Sequence, residues 1–264
     1  MIGVYRALAV QQIQIMLQYR VATFLYALFS FVRPIIFLAA WLSVAASQGG
    51  RLGSFQRSDL AAYYALSILV THLTTSFDFF EFEWEVRQGR LSPKLLRPLH
   101  PLHYAIVNNV LWKVVTAAMV IPVAVLVALT FGARFHVGPI DIVLGTVSVV
   151  LGAALSFVFG WVVASAAFWT TRVQALVHFY QRTAFIFAGQ IAPLGLLPGP
   201  LSAIAYALPF GYMLGVPTDI LRGAHDVTTS LLLIAAQAVW LLVAAVLYRI
   251  VWNAGLREYS AVGA

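Results

Sequence analysis

From Ile142 to Trp169 the chain carries no charged residue, and the stretches Val21 to Ala46, Tyr104 to Phe131 and Thr229 to Val251 each carry only one. Each is long enough to cross a bilayer core of roughly 30 Å at about 1.5 Å per helical residue. With 62% hydrophobic and 9% charged residues, the sequence has too little polar surface to cover a soluble globule. It reads as an all-α polytopic membrane protein with one transmembrane domain over residues 1–264.

Two further apolar runs, Leu60 to Phe77 and Ala184 to Leu197, bring the predicted count to six transmembrane helices. The second is brief for a crossing unless its helix begins near Val173 and carries Arg182 on a protected or interfacial face. Residues 1–20 place Gln11, Gln14 and Gln18 on one helical face and Ile2, Ile13, Met16 and Leu17 roughly opposite, the pattern of an amphipathic interfacial helix. The same glutamines make a poor hydrophobic region for a cleavable signal peptide. Within the fourth run Gly152, Ser156, Gly160 and Ala164 recur every fourth residue and form a flat ridge that another helix can approach closely, which puts this span at the centre of the bundle.

Residues 198–224 are apolar yet broken by Pro198, Pro200, Pro209 and Pro217 and by Gly199, Gly211, Gly215 and Gly223. Broken backbone at membrane depth survives where protein or a watery cavity satisfies its polar groups. The segment is read as a re-entrant helical hairpin. With both termini in the cytoplasm, Arg6, Arg20, Arg87, Arg90, Lys94, Arg97, Lys113, Arg172, Arg182, Arg249 and Arg257 fall inside, against Arg51, Arg57, Arg134 and Arg222 outside. That sorting obeys the positive-inside rule. The net charge of +7 is then explained by loops facing anionic lipid, and no nucleic-acid partner is expected.

Charge concentrates in one place: eight of the 25 charged residues lie between Asp78 and Arg97. The segment from about 81 to 100 is the largest cytoplasmic feature and the expected contact with a soluble partner. A helix there sets Glu83 against Arg87 at i, i+4, leaves Phe82 and Trp84 exposed as anchors, and ends or bends at Gly89.

Enzymatic signals are missing from the sequence. There is no GxxxxGK[ST], HExxH or GxSxG, and no cysteine, so neither a nucleotide-hydrolysing loop nor a recognisable nucleophile is present. His100 and His103 form an HxxH pair short of the ligand count a metal site needs. No acidic residue falls centrally in a span; Asp78 and Asp219 come closest, which weighs against ion-driven secondary transport. Arg33 is the one deeply embedded charge, placed either on a polar translocation path or at a subunit interface, or else snorkelling or held by a purely structural partner.

The run Val86-Arg87-Gln88-Gly89-Arg90-Leu91, followed by Leu95-Leu96-Arg97-Pro98-Leu99, resembles the "I/V-R-x-G-x-L … L-L-R-P-L" signature of ABC-2 type permeases, the membrane subunits of ATP-driven bacterial exporters. Tyr19-Arg20 before the first span and Leu208-Pro209-Phe210 with Pro217 and Gly223 resemble other parts of that family. The resemblance implies a permease of the bacterial plasma membrane that pairs with a second permease subunit, its own copy or a sister. It further implies a separate cytoplasmic ATPase dimer that holds ATP and magnesium, this chain binding no cofactor itself. The resemblance then implies ATPase contact by residues 1–20 and by Glu81, Glu83, Trp84, Glu85, Arg87, Gly89, Arg90, Leu91, Arg97 and Pro98, and closure of the outer side by residues 198–224, with Pro209, Phe210, Pro217 and Gly223 as gate residues. The alternatives are a secondary transporter or channel working without an ATPase, and an intramembrane assembly protein. The absence of a convincing internal repeat disfavours the first.

Overall fold

Aromatic side chains organise the interior around one helix. The computed structural model describes residues 2–170 and 173–259; Arg172 and the carboxyl-terminal Ala264 lie outside them. Eleven α-helices follow in order among the described residues: α1 (Ile2–Gln18), α2 (Arg20–Ser47), α3 (Arg57–Thr74), α4 (Phe82–Arg87), α5 (Ser92–Leu95), α6 (Leu102–Thr130), α7 (Pro139–Ala164), α8 (Gln174–Phe187), α9 (Gly199–Ala207), α10 (Gly215–Leu221) and α11 (Val227–Glu258). Between α2 and α3 sits a two-stranded antiparallel hairpin, β1 (Arg51–Leu52) and β2 (Phe55–Gln56).

Among the described residues, four helices are long and apolar enough to cross a membrane: α2, α6, α7 with its single-turn continuation to Phe168, and α11. Their limits match the first, third and fourth apolar runs closely, because low charge and helical propensity agree there, while α11 starts near the expected Thr229 but runs past Val251 to Glu258 through Arg257. The helices α2 and α6 continue through Pro34 and Pro122.

The fifth run starts where the alternative beginning near Val173 puts it, but its helix stops short of Leu197. Its helix is α8, from Gln174 to Phe187, and the chain from Ala188 onward leaves helical geometry at Gly189, whose φ is +87°. Hydropathy alone placed a helix over Ala184 to Leu197, but Gly189 and Pro193 break it. The broken stretch is stabilised from outside: Tyr63 donates to the carbonyl of Gly189 at 2.8 Å, and Trp41 and Tyr64 both donate to that of Ile191, at 2.6 and 2.7 Å. These side chains take the place of the lost helical bonds.

As the small-residue ridge predicts, α7 is central, packed against α11, α10, α3 and α8. What fills the ridge differs along it. A Cβ at Gly152 would meet the carbonyl oxygens of Met213 and Tyr212 at 3.0 and 3.1 Å, and one at Gly160 would meet the Phe79 ring at 2.5 Å. Single-turn segments at Gly211–Met213 and Asp78–Phe80 therefore seat directly on α7. Fully buried Gln237 of α11 ties this junction, donating to the carbonyls of Ser148 and Tyr212 and accepting from the Ser148 hydroxyl. Such a side chain satisfies its polar atoms within protein, where lipid offers none.

Candidate functional site

The charged segment between α3 and α6 folds into two short helices around a turn. Helix α4 ends in a Schellman arrangement: Gly89 has φ +66°, its N–H donates to Val86, and the N–H of Arg90 reaches the carbonyl of Glu85 at 2.9 Å. Only a residue tolerant of positive φ closes the helix this way, which is why glycine stands there. Glu83 and Arg87 form the expected i, i+4 pair at 3.7 Å. Pro93 then starts α5, and Lys94 reaches back to Glu85, fastening α5 to α4.

The segment has an inner and an outer face. Phe82, expected as an exposed anchor, is buried instead, its ring 5.0 Å from Trp161, 5.5 Å from Phe168 and 5.6 Å from Trp252. The reason is the 3.6-residue period: with Phe82 and Val86 turned toward α7 and α11, Trp84 must face out. Glu83 and Leu91, both expected at a partner contact, are buried as well. One Glu83 carboxylate oxygen accepts from the backbone N–H of Gln174 at 3.1 Å and so links α4 to the start of α8.

Exposed on the outer face are Glu81, Trp84, Arg87, Arg90, Arg97 and Pro98, while Glu85 and Gly89 are half-buried. Arg90 lies over the Trp84 ring, 4.5 Å from its centroid, and holds it as a preformed knob. Leu96, which carried no role in the sequence reading, is 88% exposed beside Arg97 and extends this face. Its signal in the sequence is its place in the Leu95-Leu96-Arg97-Pro98-Leu99 run. Behind the segment, Gln12 of α1, Glu81, Glu85, Lys94, Tyr104 and Asn108 line a cavity of about 160 Å³.

The paired histidines are separated in role. His103 shares a 2.6 Å hydrogen bond with Tyr5 of α1, whereas His100 packs 4.9 Å from Trp252. Arg33 is exposed near the middle of α2, its guanidinium 5.5 Å from the centroid of Phe185 in α8. In residues 198–224, Pro209, Phe210 and Pro217 are buried, and Phe210 packs against Phe159 and Tyr180. Gly223 has φ +72° and admits the backbone of His136 where a Cβ would collide.

Residues 31–263 match the family described as "ABC-2 family transporter protein". The chain belongs to that family. No curated protein matches it. As an ABC-2 family transporter it is a multi-pass membrane protein, and the matched region contains α3 through α11 whole, together with most of α2. The segment with Gly89 at its turn and residues 198–224 therefore lie well inside the family region, and Arg33 lies at its very start.

Proposed function

We propose that this ABC-2 family protein is the permease subunit of an ATP-driven exporter, forming half of a translocation pathway with a second permease and taking its energy from a separate cytoplasmic ATPase dimer. The observation that carries this reading is the two-faced build of residues 81–99. The outer face offers Trp84, Arg87 and Arg90 to a partner, and the inner face, through Phe82 and Glu83, is keyed into α7, α8 and α11. A push on such a segment moves the bundle and not just a loop.

Six crossings complete the reading, with α3 and the α8-to-Leu197 stretch as the second and fifth. Helix α8 spans only about 21 Å at 1.5 Å per residue, so the bent, non-helical chain held by Trp41, Tyr63 and Tyr64 supplies the remaining depth. The sorting of basic residues supports cytoplasmic termini, and α9 with α10 forms a re-entrant hairpin from the outer side. Exposed Ile13 and Leu17 on α1 suit an interfacial helix resting on lipid.

The test is co-purification of the ATPase and substrate-stimulated ATP hydrolysis in lipid. W84A/R87A is expected to weaken association or uncouple hydrolysis by about 1–4 kcal/mol if these are interface hot spots. Wild-type values in both assays would sink the coupling role, and transport by the purified chain without any ATPase would sink the exporter reading.

A further inference from the structure

Three of the four arginines assigned to the outer side converge on one open concavity of about 500 Å³, a volume within the range of roughly 300–1,000 Å³ typical of small-ligand sites. Its lining includes Arg51, Gln56, Arg57, Ser58, Phe131 and Arg134. The fold brings them there from separate segments. In the hairpin, Arg51 pairs with Gln56 and Leu52 with Phe55. Because cross-strand partners share a face, Phe55 turns into the core while Arg51 and Gln56 stand together at the rim. Across the concavity, Gly132 at φ +66° closes α6, with the N–H of Ala133 returned to the carbonyl of Ala128, and the chain that leaves this turn carries Arg134 to the same rim.

Among the described residues, no carboxylate lies within ion-pair distance of Arg51, Arg57 or Arg134. Asp59, the acidic residue nearest in sequence, is engaged by the backbone N–H of Gln56 at 2.9 Å. Arg222 makes the contrast: it pairs with Asp219 at 2.8 Å and lies over the Phe55 ring. Three like charges around one hollow raise its positive potential and concentrate anions. Guanidinium forks match the oxygens of a phosphate group.

We propose that this concavity binds a phosphate-bearing anion, with the headgroup of an anionic phospholipid as the occupant that its surroundings suit. Exposed Phe131 lies at the rim, and Leu126 and Leu129, one helical turn apart and strongly exposed, continue an apolar surface down α6 for acyl chains. Placement in the outer leaflet rests on the topology proposed above; the anion chemistry does not.

The experiment titrates purified protein in phosphatidylcholine nanodiscs with short-chain phosphatidylglycerol and, separately, with inorganic phosphate. R51Q/R134Q is expected to weaken binding about tenfold, R51K/R134K to retain most of it, and R249Q, on a remote exposed arginine, to match wild type. Binding of the lipid alone identifies a headgroup site, and binding of both ligands a site for the phosphate group itself. Equal binding by wild type and R51Q/R134Q, or none by wild type, overturns the proposal. Labelling of S54C by a membrane-impermeant maleimide on intact cells tests sidedness apart from this: an unlabelled cysteine defeats the outer placement and leaves the titration to judge the anion site.

Discussion

Tyr64 of α3 donates its phenolic hydrogen to the carbonyl oxygen of Ile191 at 2.7 Å, and that oxygen also accepts the indole N–H of Trp41 at 2.6 Å. Two donors from two helices thus hold one carbonyl of the broken stretch that follows α8. Either bond alone keeps the oxygen satisfied. Y64F is therefore expected to cost about 0.6 kcal/mol, the average for a hydrogen bond between membrane helices. W41F/Y64F, which strands the carbonyl, should cost about 1–3 kcal/mol and more than the two single changes together. Unfolding in mixed micelles measures all three, and strict additivity would contradict the shared-acceptor account.

This contact also marks where the sequence stops being legible. Runs such as Ile142–Trp169 announce their helices because charge, hydropathy and length point the same way, and the Gly152-to-Ala164 ridge announces the central helix. Residues 184–197 are equally apolar, yet what ends α8 is a left-handed glycine stabilised by donors more than a hundred residues away in sequence. A local reading has no access to those donors. At the charged segment, Gly89 and the Glu83–Arg87 pair follow from spacing, whereas the burial of Phe82 depends on Trp161, Phe168 and Trp252, which arrive from other helices. The clustering of Arg51, Arg57 and Arg134 was hidden for the same reason: it is made by a hairpin and a helix end brought together in space.

Asp226 caps α11, and its carboxylate accepts from the hydroxyl of Thr229 and from the backbone N–H groups of Thr229 and Thr228. The Thr229 hydroxyl, followed by these backbone donors, holds the carboxyl below its usual value of about 4. A depressed carboxylate stabilises above the unfolded pKa and loses that effect as pH falls through the folded one. Protection of the Thr228 and Thr229 amides in hydrogen exchange, corrected for intrinsic rates, should therefore be complete near neutrality and decline below about pH 4. In D226A the protection should be lower and show no such decline; a wild-type profile flat through that range would remove the cap from the account.

Arg33 places a cation near the middle of α2 on an exposed face of the subunit, with Phe185 as its aromatic neighbour. A charge at the centre of a span costs about 2.5–3.5 kcal/mol on insertion scales, so it calls for a second subunit or a polar path beside it. R33L should insert at least as well as wild type, while coupled transport falls about tenfold, equivalent to 1.4 kcal/mol. R33K, which keeps the charge but loses the planar group, should fall between them. Expression level and transport in reconstituted vesicles decide the matter, and unchanged transport by R33L would reduce Arg33 to a snorkelling side chain.

Phe82 and Trp84 are two residues apart on α4 and face opposite ways, so their truncations should fail differently. Phe82 is 1% exposed and packs against Trp161, Phe168 and Trp252, three rings contributed by α7, its continuation and α11. Removing its ring opens a hole among rigid neighbours, and F82A should cost about 3–5 kcal/mol of stability. Trp84 is 46% exposed under Arg90 and meets no such cluster. W84A should leave thermal stability within about 0.5 kcal/mol, as for a surface change, and lower ATPase co-purification. F82L, which keeps most of the volume, separates folding from coupling: it should restore much of the stability while the altered packing still weakens transmission from the segment to α7. Thermal unfolding alongside ATPase pull-down supplies both axes. Loss of stability in W84A with full ATPase binding would reverse the assignment of the two faces, and with it the route by which an ATPase would move the bundle.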